Sequence, residues 1–304
     1  MLVNPVFSSL RLRKVPRVRQ VLEEAGITVE QTDTGPNGAT PAIVRSAIEG
    51  GVDAIVVCGG DGTVFDVLQG AAGSGVPIGV LPFGTGNVLV QNLGLPRDPV
   101  TAARALLKAK PVEVPLGHIS CGGESLYFAM SAGVGGHAAM MRSAYRYAKH
   151  RTGRLAYFAA GLEILATYPL VDFAMEITTT SGDEHRRSAC ELIALRVGRL
   201  NLWRTGGGLE RPSLRVASVE GASRLRLARA SFDSLILQSG SRRGEDSAHS
   251  AAIYEDAVSI RITPYPSQPL ALQADGEIVA TVTSTTPAVI AMSAESAVFL
   301  SKKA

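Results

Sequence analysis

The sequence has little of what several classes of protein need. Its three cysteines, Cys58, Cys121 and Cys190, lie far apart without metal-ligand or redox spacing, which argues against a disulfide framework and a zinc site. No apolar run approaches the ~18 residues that a membrane-spanning helix needs, and the first residues show no signal-peptide pattern. The net charge of the 304 residues is only +3, so we expect no nucleic-acid partner. These absences predict a cytoplasmic globular protein with buried free thiols.

The texture of the chain changes near residue 115. Before it, short apolar runs at 54–58 and 77–81 alternate with helical patterns at 12–25 and 41–49, which is typical of β-α-β units with a parallel sheet. A further strand is predicted at 27–30. This part of the chain is therefore predicted to be an α/β domain.

After residue 115, alternating apolar and polar residues at 171–178, 225–230 and 257–262 predict antiparallel strands. Residues 138–168 form the main helical exception. We therefore predict two domains, an α/β domain over 1–115, with the tail 295–304 as a candidate to complete it, and an all-β sandwich domain over 116–294.

The most specific local feature is the segment 59–63, Gly-Gly-Asp-Gly-Thr, which follows a buried strand and precedes a helix predicted from Val64. Glycines let backbone N–H groups surround an anion because no Cβ blocks the approach, and a helix N-terminus attracts negative charge. Asp61 lies inside this predicted cradle, where a carboxylate suits a Mg²⁺ ion bound to a phosphate. The structural alternative is a simple glycine-rich turn.

A second glycine-containing loop, Pro-Phe-Gly-Thr-Gly-Asn at 82–87, follows the next strand and precedes a helix predicted from about Val88. Neighbouring parallel strands end at one edge of a sheet, where α/β proteins bind ligands. Neither loop has the lysine of a Walker motif, and Leu89 stands where a dinucleotide fingerprint needs its third glycine. The two loops together predict phosphate binding without hydride transfer.

The motifs, taken in order, resemble the diacylglycerol kinase catalytic-domain family, which includes bacterial lipid kinases and sphingosine kinases. The resemblance rests on Asn4-Pro5 followed by Ser8-Ser9, on the segments 59–63 and 82–87, and on Asp275-Gly276-Glu277. It implies a two-domain kinase that binds ATP in a cleft between an α/β domain and a β-sandwich. The implied reaction is Mg²⁺-dependent transfer of the γ-phosphate to a hydroxyl of a diacylglycerol- or sphingoid-type lipid.

The same resemblance implies a set of nucleotide-binding residues from the first loop, the two glycine loops and a turn between them, where Thr40 or alternatively Thr34 is the contact. The set comprises Asn4, Ser8, Ser9, Thr40, Gly59, Gly60, Gly62, Thr63, Gly84, Thr85 and Asn87.

Phosphoryl transfer needs positioning, charge neutralisation and a base near the attacking hydroxyl. Asp61 is the predicted Mg²⁺ ligand. Asp275 and Glu277, from the second domain, could accept the substrate proton. We therefore predict Asp61, Asp275 and Glu277 as catalytic residues and leave open which of them is the base. The structural alternative for 275–277 is a hairpin turn, since Asp-Gly is a common turn dipeptide.

A lipid substrate predicts peripheral contact with a membrane. Basic residues in two groups could bind anionic head groups, with a solvated face as the alternative. The groups are Arg142, Arg146, Lys149, Arg151 and Arg154, and Arg211, Arg215, Arg224, Arg226, Arg229, Arg242 and Arg243. The sequence leaves the oligomeric state open, a homodimer included.

Two other functions stay open. NAD kinases share the Gly-Gly-Asp-Gly-Thr loop, so a soluble nucleotide is an alternative substrate. A catalytically weak nucleotide- or lipid-binding homologue is the second alternative, and the bulky first loop, Phe7-Ser8-Ser9-Leu10, favours it.

Overall fold

The computed structural model describes residues 1–6, 9–36, 38–136, 167, 169–200, 203–235, 251–266 and 268–303. The chain forms two compact units, one made of Met1–Leu116 with Ser293–Ala304 and the other of Gly117–Met292. The first contains a parallel sheet with helices, and the second is built mainly of strands, so the predicted fold class is confirmed. The nucleotide-binding and lipid-binding roles predicted for the two domains stay predictions.

In the first unit short strands alternate with helices, and the last strand of the chain also joins this unit. Its strands are β1 (Leu2–Val3), β2 (Thr32–Asp33), β3 (Ile55–Gly59) and β4 (Ile78–Pro82), with the start of β5 (Lys110–Cys121) and the end of β17 (Ala288–Ser301). Its helices are α1 (Ser9–Leu12), α2 (Val15–Glu23), α3 (Thr40–Glu49), α4 (Asp61–Ala71), α5 (Val88–Asn92) and α6 (Pro99–Leu106).

The sheet of the first unit has the strand order β2-β1-β3-β4-β17, and all these neighbours are parallel. The chain places β2 on one side of β1 and then returns to place β3 on the other side. The switch point of the topology therefore lies between β1 and β3, the place where open α/β sheets bind ligands.

Amphipathic spacing explains the helices of this unit. In α2 the predicted apolar face, Val15, Val18, Val21 and Leu22, is buried, and Gly26 follows the helix at φ 82°. In α6 the predicted start is also confirmed, since Asp98 caps the backbone N–H of Thr101 at 3.0 Å and a proline occupies the first turn.

The strand predicted at 27–30 is wrong. Pairing with β1 begins later in the chain, at Thr32 and Asp33, and Ile27 is exposed. The alternation of Ile27 and Val29 with polar residues follows the strand period, but these residues do not lie beside β1.

The second unit is built from antiparallel strands, with the order β16-β15-β7-β10-β13-β14-β17. Two further strands, β8 and β9, extend from β14, and β6 pairs with β5. The strands of this unit are β6 (Glu124–Phe128), β7 (Ser131–Val134), β8 (Phe173–Thr179), β9 (Glu184–Ala189), β10 (Glu191–Leu195), β11 (Arg199–Leu200), β12 (Trp203–Arg204), β13 (Leu214–Val219), β14 (Ile253–Pro264), β15 (Leu270–Ala274) and β16 (Glu277–Val282).

The strand predicted at 225–230 is also wrong, because these residues begin helix α7 (Arg224–Leu235). Leu227 and Ala230, three residues apart, are its buried face and pack on Val219 of β13. The alternating leucines and arginines fit a strand equally well in sequence, yet Leu225 points away from this core at 82% exposure. The helix predicted at 138–168 lies almost wholly outside the described residues.

All three cysteines are buried and free, as predicted. Among the described residues, no helix combines the length and apolar character that crossing a membrane requires.

Candidate functional site

The ends of the parallel strands of the first unit place several predicted residues at one sheet edge. Asn4 follows β1, Thr34 follows β2, Gly60 follows β3 and Phe83 follows β4. Backbone hydrogen bonds join these ends: Asn4 N–H donates to the carbonyl of Cys58 at 3.2 Å, and Thr34 N–H donates to that of Val3 at 2.8 Å. Parallel pairing therefore assembles this edge from four separate loops.

Helix α4 begins three residues earlier than predicted, at Asp61 instead of Val64, so that Asp61, Gly62 and Thr63 form its first turn. The N-cap residue, Gly60, provides no side-chain hydrogen bond to the helix. The first N–H groups of an α-helix have no partner within the helix. An end of this kind, at the edge of a parallel sheet, is suited to bind an anion.

The two glycine loops lie in direct contact. A Cβ on Gly84 would stand 2.5 Å from the Cα of Gly60, and a Cβ on Gly59 would stand 2.5 Å from the Cβ of Thr63. The backbone N–H of Phe83 donates to the carbonyl of Gly59 at 3.0 Å. Glycine is required at position 84 because the backbone of the other loop lies too close for a side chain, and at position 59 because the Thr63 side chain fills the space.

Asn87 closes the second loop on itself. Its side chain accepts a hydrogen bond from the N–H of Gly84 at 3.0 Å and donates to the carbonyl of Gly84 at 2.7 Å. Its backbone has φ 47°, a left-handed conformation that asparagine tolerates better than most residues, and it immediately precedes helix α5. Asn87 therefore shapes this loop through its side chain and its backbone together.

Asp61 joins the two loops. Its Oδ2 accepts the N–H of Val88 at 3.1 Å, and its Oδ1 accepts the N–H of Leu89 at 3.2 Å. Burial raises the pKa of Asp61 above its usual range, and the backbone N–H groups of Val88, Leu89 and Asn87 offset part of this rise. Each carboxylate oxygen has a second lone pair, so these bonds do not exhaust its capacity to accept or to coordinate.

A hydrogen bond also crosses the switch point between β1 and β3. The side-chain amide of Asn4 donates to the hydroxyl of Thr63 at 2.9 Å, and its Oδ1 accepts the N–H of Val6 at 3.0 Å. Asn4 therefore fixes both the start of the first loop and the first turn of α4. Asn4 thus lies beside the Gly-Gly-Asp-Gly-Thr segment, and its predicted contact with a nucleotide stays a prediction.

Arg11, which was not among the residues predicted from sequence, also holds the second loop. Its guanidinium donates to the carbonyl oxygens of both Phe83 and Gly84. The partners lie 72 and 73 positions away along the chain, so no local spacing could have indicated the contact. The residue places a positive charge beside the predicted anion cradle.

Three further residues predicted to bind the nucleotide are Thr85, Ser8 and Ser9. Thr85 is exposed in the second loop. Ser9 begins α1, and Ser8 lies outside the described residues.

Thr40 does not lie at the cradle. It begins α3 and is 3% exposed, and its neighbour Pro41 packs against Gly70 in the last turn of α4. The first turn of that helix is about 14 Å away at 1.5 Å per residue. Of the two threonines considered, Thr34 is the one that the sheet brings to the edge.

In the second unit, Asp275 and Gly276 form a two-residue hairpin loop between β15 and β16, with φ 48° and 95°. This is the turn that Asp-Gly favours. Asp275 is 6% exposed, and its carboxylate accepts three backbone N–H groups, from Ala129 at 2.8 Å, Met130 at 2.8 Å and Ser131 at 2.9 Å. The carboxylate is thus engaged in holding the 129–131 loop, which does not favour the predicted role of base.

A buried arginine supports the same assembly. The backbone N–H of Arg196 donates to the carbonyl of Met130 at 2.8 Å, and its fully buried guanidinium donates to the carbonyls of Leu209 and Arg211. Burial lowers the pKa of Arg196 to about 10, and the charge of Asp275 opposes this shift. Glu277, by contrast, is exposed at the start of β16.

No three His, Cys, Asp or Glu side chains gather as a metal site in the part of the chain that the structure describes. Mg²⁺ in phosphoryl-transfer enzymes is commonly held by one or two carboxylates together with substrate phosphates. Asp61, with unused lone pairs beside an uncapped helix end, fits a Mg²⁺ that arrives with a nucleotide.

Comparisons with known proteins agree with this fold and with these loops. Residues 1–119 match the family model of the diacylglycerol kinase catalytic domain. A diacylglycerol kinase of Staphylococcus carnosus is 27% identical over 282 residues, which are 87% of this chain and 83% of that relative. A diacylglycerol kinase of Mycobacterium tuberculosis is 30% identical over 161 residues, and this chain spans 52% of its length.

A crystal structure of a diacylglycerol kinase from Bacillus anthracis has the same fold. Its TM-score is 0.68 at 20% identity, and the match covers 99% of this chain and 96% of that one. The family model matches the glycine loops, and the fold match extends over the remaining residues. The chain is therefore similar, through residues 1–119, to the diacylglycerol kinase catalytic-domain family.

Proposed function

We propose that this protein is an ATP-dependent lipid kinase, which transfers the γ-phosphate of ATP to a hydroxyl of a diacylglycerol- or sphingoid-type lipid with Mg²⁺. The proposal combines the match of residues 1–119 to a kinase family model with the geometry of the sheet edge in the first unit. The names of the two diacylglycerol kinases from Staphylococcus carnosus and Mycobacterium tuberculosis favour a lipid acceptor.

One observation carries the proposal: the uncapped first turn of α4 lies against the second glycine loop at 2.5 Å between Gly60 Cα and an added Cβ on Gly84. This closeness leaves no room for a side chain between the loops, so the backbone N–H groups of the first turn of α4 are the groups that would face a ligand. A polyphosphate is the ligand that such a surface binds best, since its charge is stabilised by N–H dipoles.

In this proposal each residue of the edge has a distinct task. Gly59, Gly60, Gly62 and Thr63 surround the phosphates, while Asn4 and Asn87 hold the loops in place. Gly84 and Thr85 supply the opposite wall, and Arg11 adds positive charge. Thr34 replaces Thr40 as the further nucleotide contact, because only Thr34 lies at this edge.

Asp61 has two tasks, since it fixes the start of α5 and would hold the Mg²⁺ of the nucleotide. When bound, the ion supplies neutralisation of the charge that develops on the phosphates. The raised pKa of Asp61 means that metal and nucleotide binding must favour its ionised form.

Glu277 is our candidate for the base that accepts the proton of the lipid hydroxyl. A base needs an oxygen that can reach the hydroxyl. Glu277 is exposed at the start of β16, whereas the carboxylate of Asp275 is buried and accepts three backbone N–H groups. Asp275 is then a positioning residue for the hairpin and for the 129–131 loop.

Transfer of labelled phosphate tests the proposal. The full chain is incubated with Mg-ATP and a panel of lipids in mixed micelles, and with NAD in a parallel reaction. We expect labelled lipid from at least one diacylglycerol or sphingoid base and none from NAD. Label on NAD alone would favour an NAD kinase-like activity, and nucleotide binding without transfer would favour a catalytically weak homologue.

A further inference from the structure

Helix α7 carries two separate apolar faces. One, with Leu227 and Ala230, is buried on the second unit next to Val219. The other contains Leu225 and Phe232, which are 82% and 55% exposed. These two residues lie seven positions apart, so they share one side of the helix, roughly opposite the buried side.

Arginines surround the exposed apolar face. Arg224, Arg226 and Arg229 all belong to the first two turns of α7 and are exposed. The acidic residue of the helix, Asp233, is 6% exposed, and it accepts the backbone N–H of Ala251 at 3.1 Å and pairs with Arg229 at 3.9 Å. The outer surface of α7 is therefore apolar and cationic.

A cavity of about 490 Å³ opens beside the start of α7. Leu225, Arg226 and Arg229 line it together with Ile253 of β14 and Glu220. The guanidinium of Arg226 donates to the carbonyl of Glu220 at 2.7 Å, which fixes its direction. Two arginines next to apolar side chains are chemically suited to a phosphate group that carries acyl chains.

We infer that the outer face of α7 docks the protein on an anionic membrane surface, with Leu225 and Phe232 entering the boundary between head groups and acyl chains. Helices that lie in a membrane interface combine Leu and Phe on one face with arginines beside them. Each arginine near an anionic surface strengthens binding.

The inference rests on the proposed function only in that a lipid kinase must meet a membrane. Docking can be measured without ATP or turnover, so the two proposals can fail separately.

Vesicle co-sedimentation of the full chain tests it. Vesicles of phosphatidylcholine alone are compared with vesicles of equal parts phosphatidylcholine and phosphatidylglycerol. We expect binding to the anionic vesicles that weakens with salt. Leu225→Ser with Phe232→Ser should lower the partition by about tenfold, and Arg224→Gln with Arg229→Gln should lower it by about fivefold for each arginine.

Matched controls use exposed residues of the first unit. Ile27→Ser with Leu107→Ser removes two exposed apolar side chains, and Arg17→Gln with Arg104→Gln removes two exposed arginines. Both controls should bind vesicles as the unmodified chain does. The inference would be overturned if the α7 variants bound vesicles as well as the unmodified chain does. It would also be overturned if the unmodified chain bound both kinds of vesicle equally.

Two further measurements distinguish membrane docking from a general loss of activity and from self-association. Transfer to a dispersed short-chain diacylglycerol should be unchanged in the α7 variants, while transfer to a vesicle-embedded acceptor should fall. Anionic vesicle binding without transfer to any lipid would sink the proposed function and leave docking intact. A dimer in gel filtration that the Leu225→Ser, Phe232→Ser variant dissociates would overturn docking and make this face a contact between two copies of the chain.

Discussion

The carboxylate of Asp61 accepts the backbone N–H of Val88, the first residue of α5, at 3.1 Å. The two residues belong to different glycine loops, so one side chain connects the first turn of α4 with the start of α5. An aspartate in this position has a structural role before any metal binds. Its substitution must therefore be assessed for stability and for activity separately.

We predict that Asp61→Asn lowers phosphate transfer by about 10²-fold or more, because the variant loses the charge next to the phosphates. Its stability should change much less. The lost acceptor for one N–H costs about 1–3 kcal/mol, and removal of a buried charge offsets part of this cost. Label transfer and urea unfolding measure the two effects.

Asp66→Asn is the matched control, since Asp66 lies in the same helix and burial raises its pKa too. Its phosphate transfer should stay near that of the unmodified chain. A transfer rate unchanged in Asp61→Asn, with Mg²⁺ still required, would contradict the assigned role.

Asp66 also gives a prediction for pH. Because the pKa of Asp66 is raised in the folded state, its ionisation opposes folding. This cost is absent below the pKa that Asp66 has in the unfolded chain, about 3.9, and develops as pH rises through the higher pKa of the folded state. Asp66→Asn should therefore gain stability relative to the unmodified chain between acidic and neutral pH. Urea midpoints across that range measure the difference, and one that shrinks with rising pH would contradict the prediction.

The positions of the two loops could be predicted from sequence, because in both cases glycines follow a buried strand and precede a helix. Gly59 and Gly84 are required because a Cβ on either would stand 2.5 Å from a neighbouring atom. The partners of Asp61 and Arg11 could not be predicted. They depend on how two loops far apart in sequence meet at one sheet edge, and no local pattern encodes that meeting.

Hydrophobic periodicity gave the wrong element at 225–230, where one pattern fits both a strand and a helix. Leu225 and Leu227 alternate with arginines as in a strand, but the buried pair Leu227 and Ala230 has helical spacing. At Asp275-Gly276, the hairpin turn considered from sequence is the observed structure. The three backbone bonds to Asp275 come from a loop about 145 positions away, so its engagement could not be predicted.

The hydrogen bond from Asn4 to Thr63 should couple the first loop to α4. We predict that Asn4→Ala and Thr63→Val each weaken nucleotide binding several-fold and lower stability by about 1 kcal/mol. The double variant should lose less than the sum, since the second change removes a partner that is already absent. For the two single variants and the double variant, calorimetric titration with Mg-ATP measures nucleotide affinity and urea unfolding measures stability. Strictly additive losses would show that this bond does not link the two segments.

Gly84→Ala should disrupt the cradle. The added Cβ would stand 2.5 Å from the Cα of Gly60, a backbone atom that cannot move aside without shifting the loop. Overpacking of this kind costs about 1–3 kcal/mol, and we expect nucleotide affinity to fall at least about tenfold because the anion-facing N–H groups move. Gly208→Ala is the control, since its Cβ would make ordinary contacts at 3.5 Å. Unchanged nucleotide affinity in Gly84→Ala would contradict the assigned position of the cradle.

Substitutions at Asp275 and Glu277, in the hairpin of β15 and β16, test which of these two residues is the base. In Asp275→Asn only one oxygen remains to accept, so an N–H of the 129–131 loop faces an amide N–H and stability should fall by about 1–3 kcal/mol. The buried guanidinium of Arg196 also loses a favourable charge, which adds to this loss. In Glu277→Gln an exposed side chain loses its charge, so the free energy of unfolding should change by less than about 1 kcal/mol.

At equal concentrations of folded protein, we expect Glu277→Gln to lower activity more than Asp275→Asn does, although Asp275→Asn is the less stable variant. Glu277→Gln should lower kcat for the lipid by about 10²-fold or more with little change in KM for ATP, because proton acceptance is removed while binding is kept. Asp275→Asn should retain a larger kcat once its lower stability is allowed for by assay below its unfolding transition. A normal kcat in Glu277→Gln together with an inactive but fully folded Asp275→Asn would reverse the assignment and make Asp275 the base, despite the three backbone bonds that its carboxylate accepts.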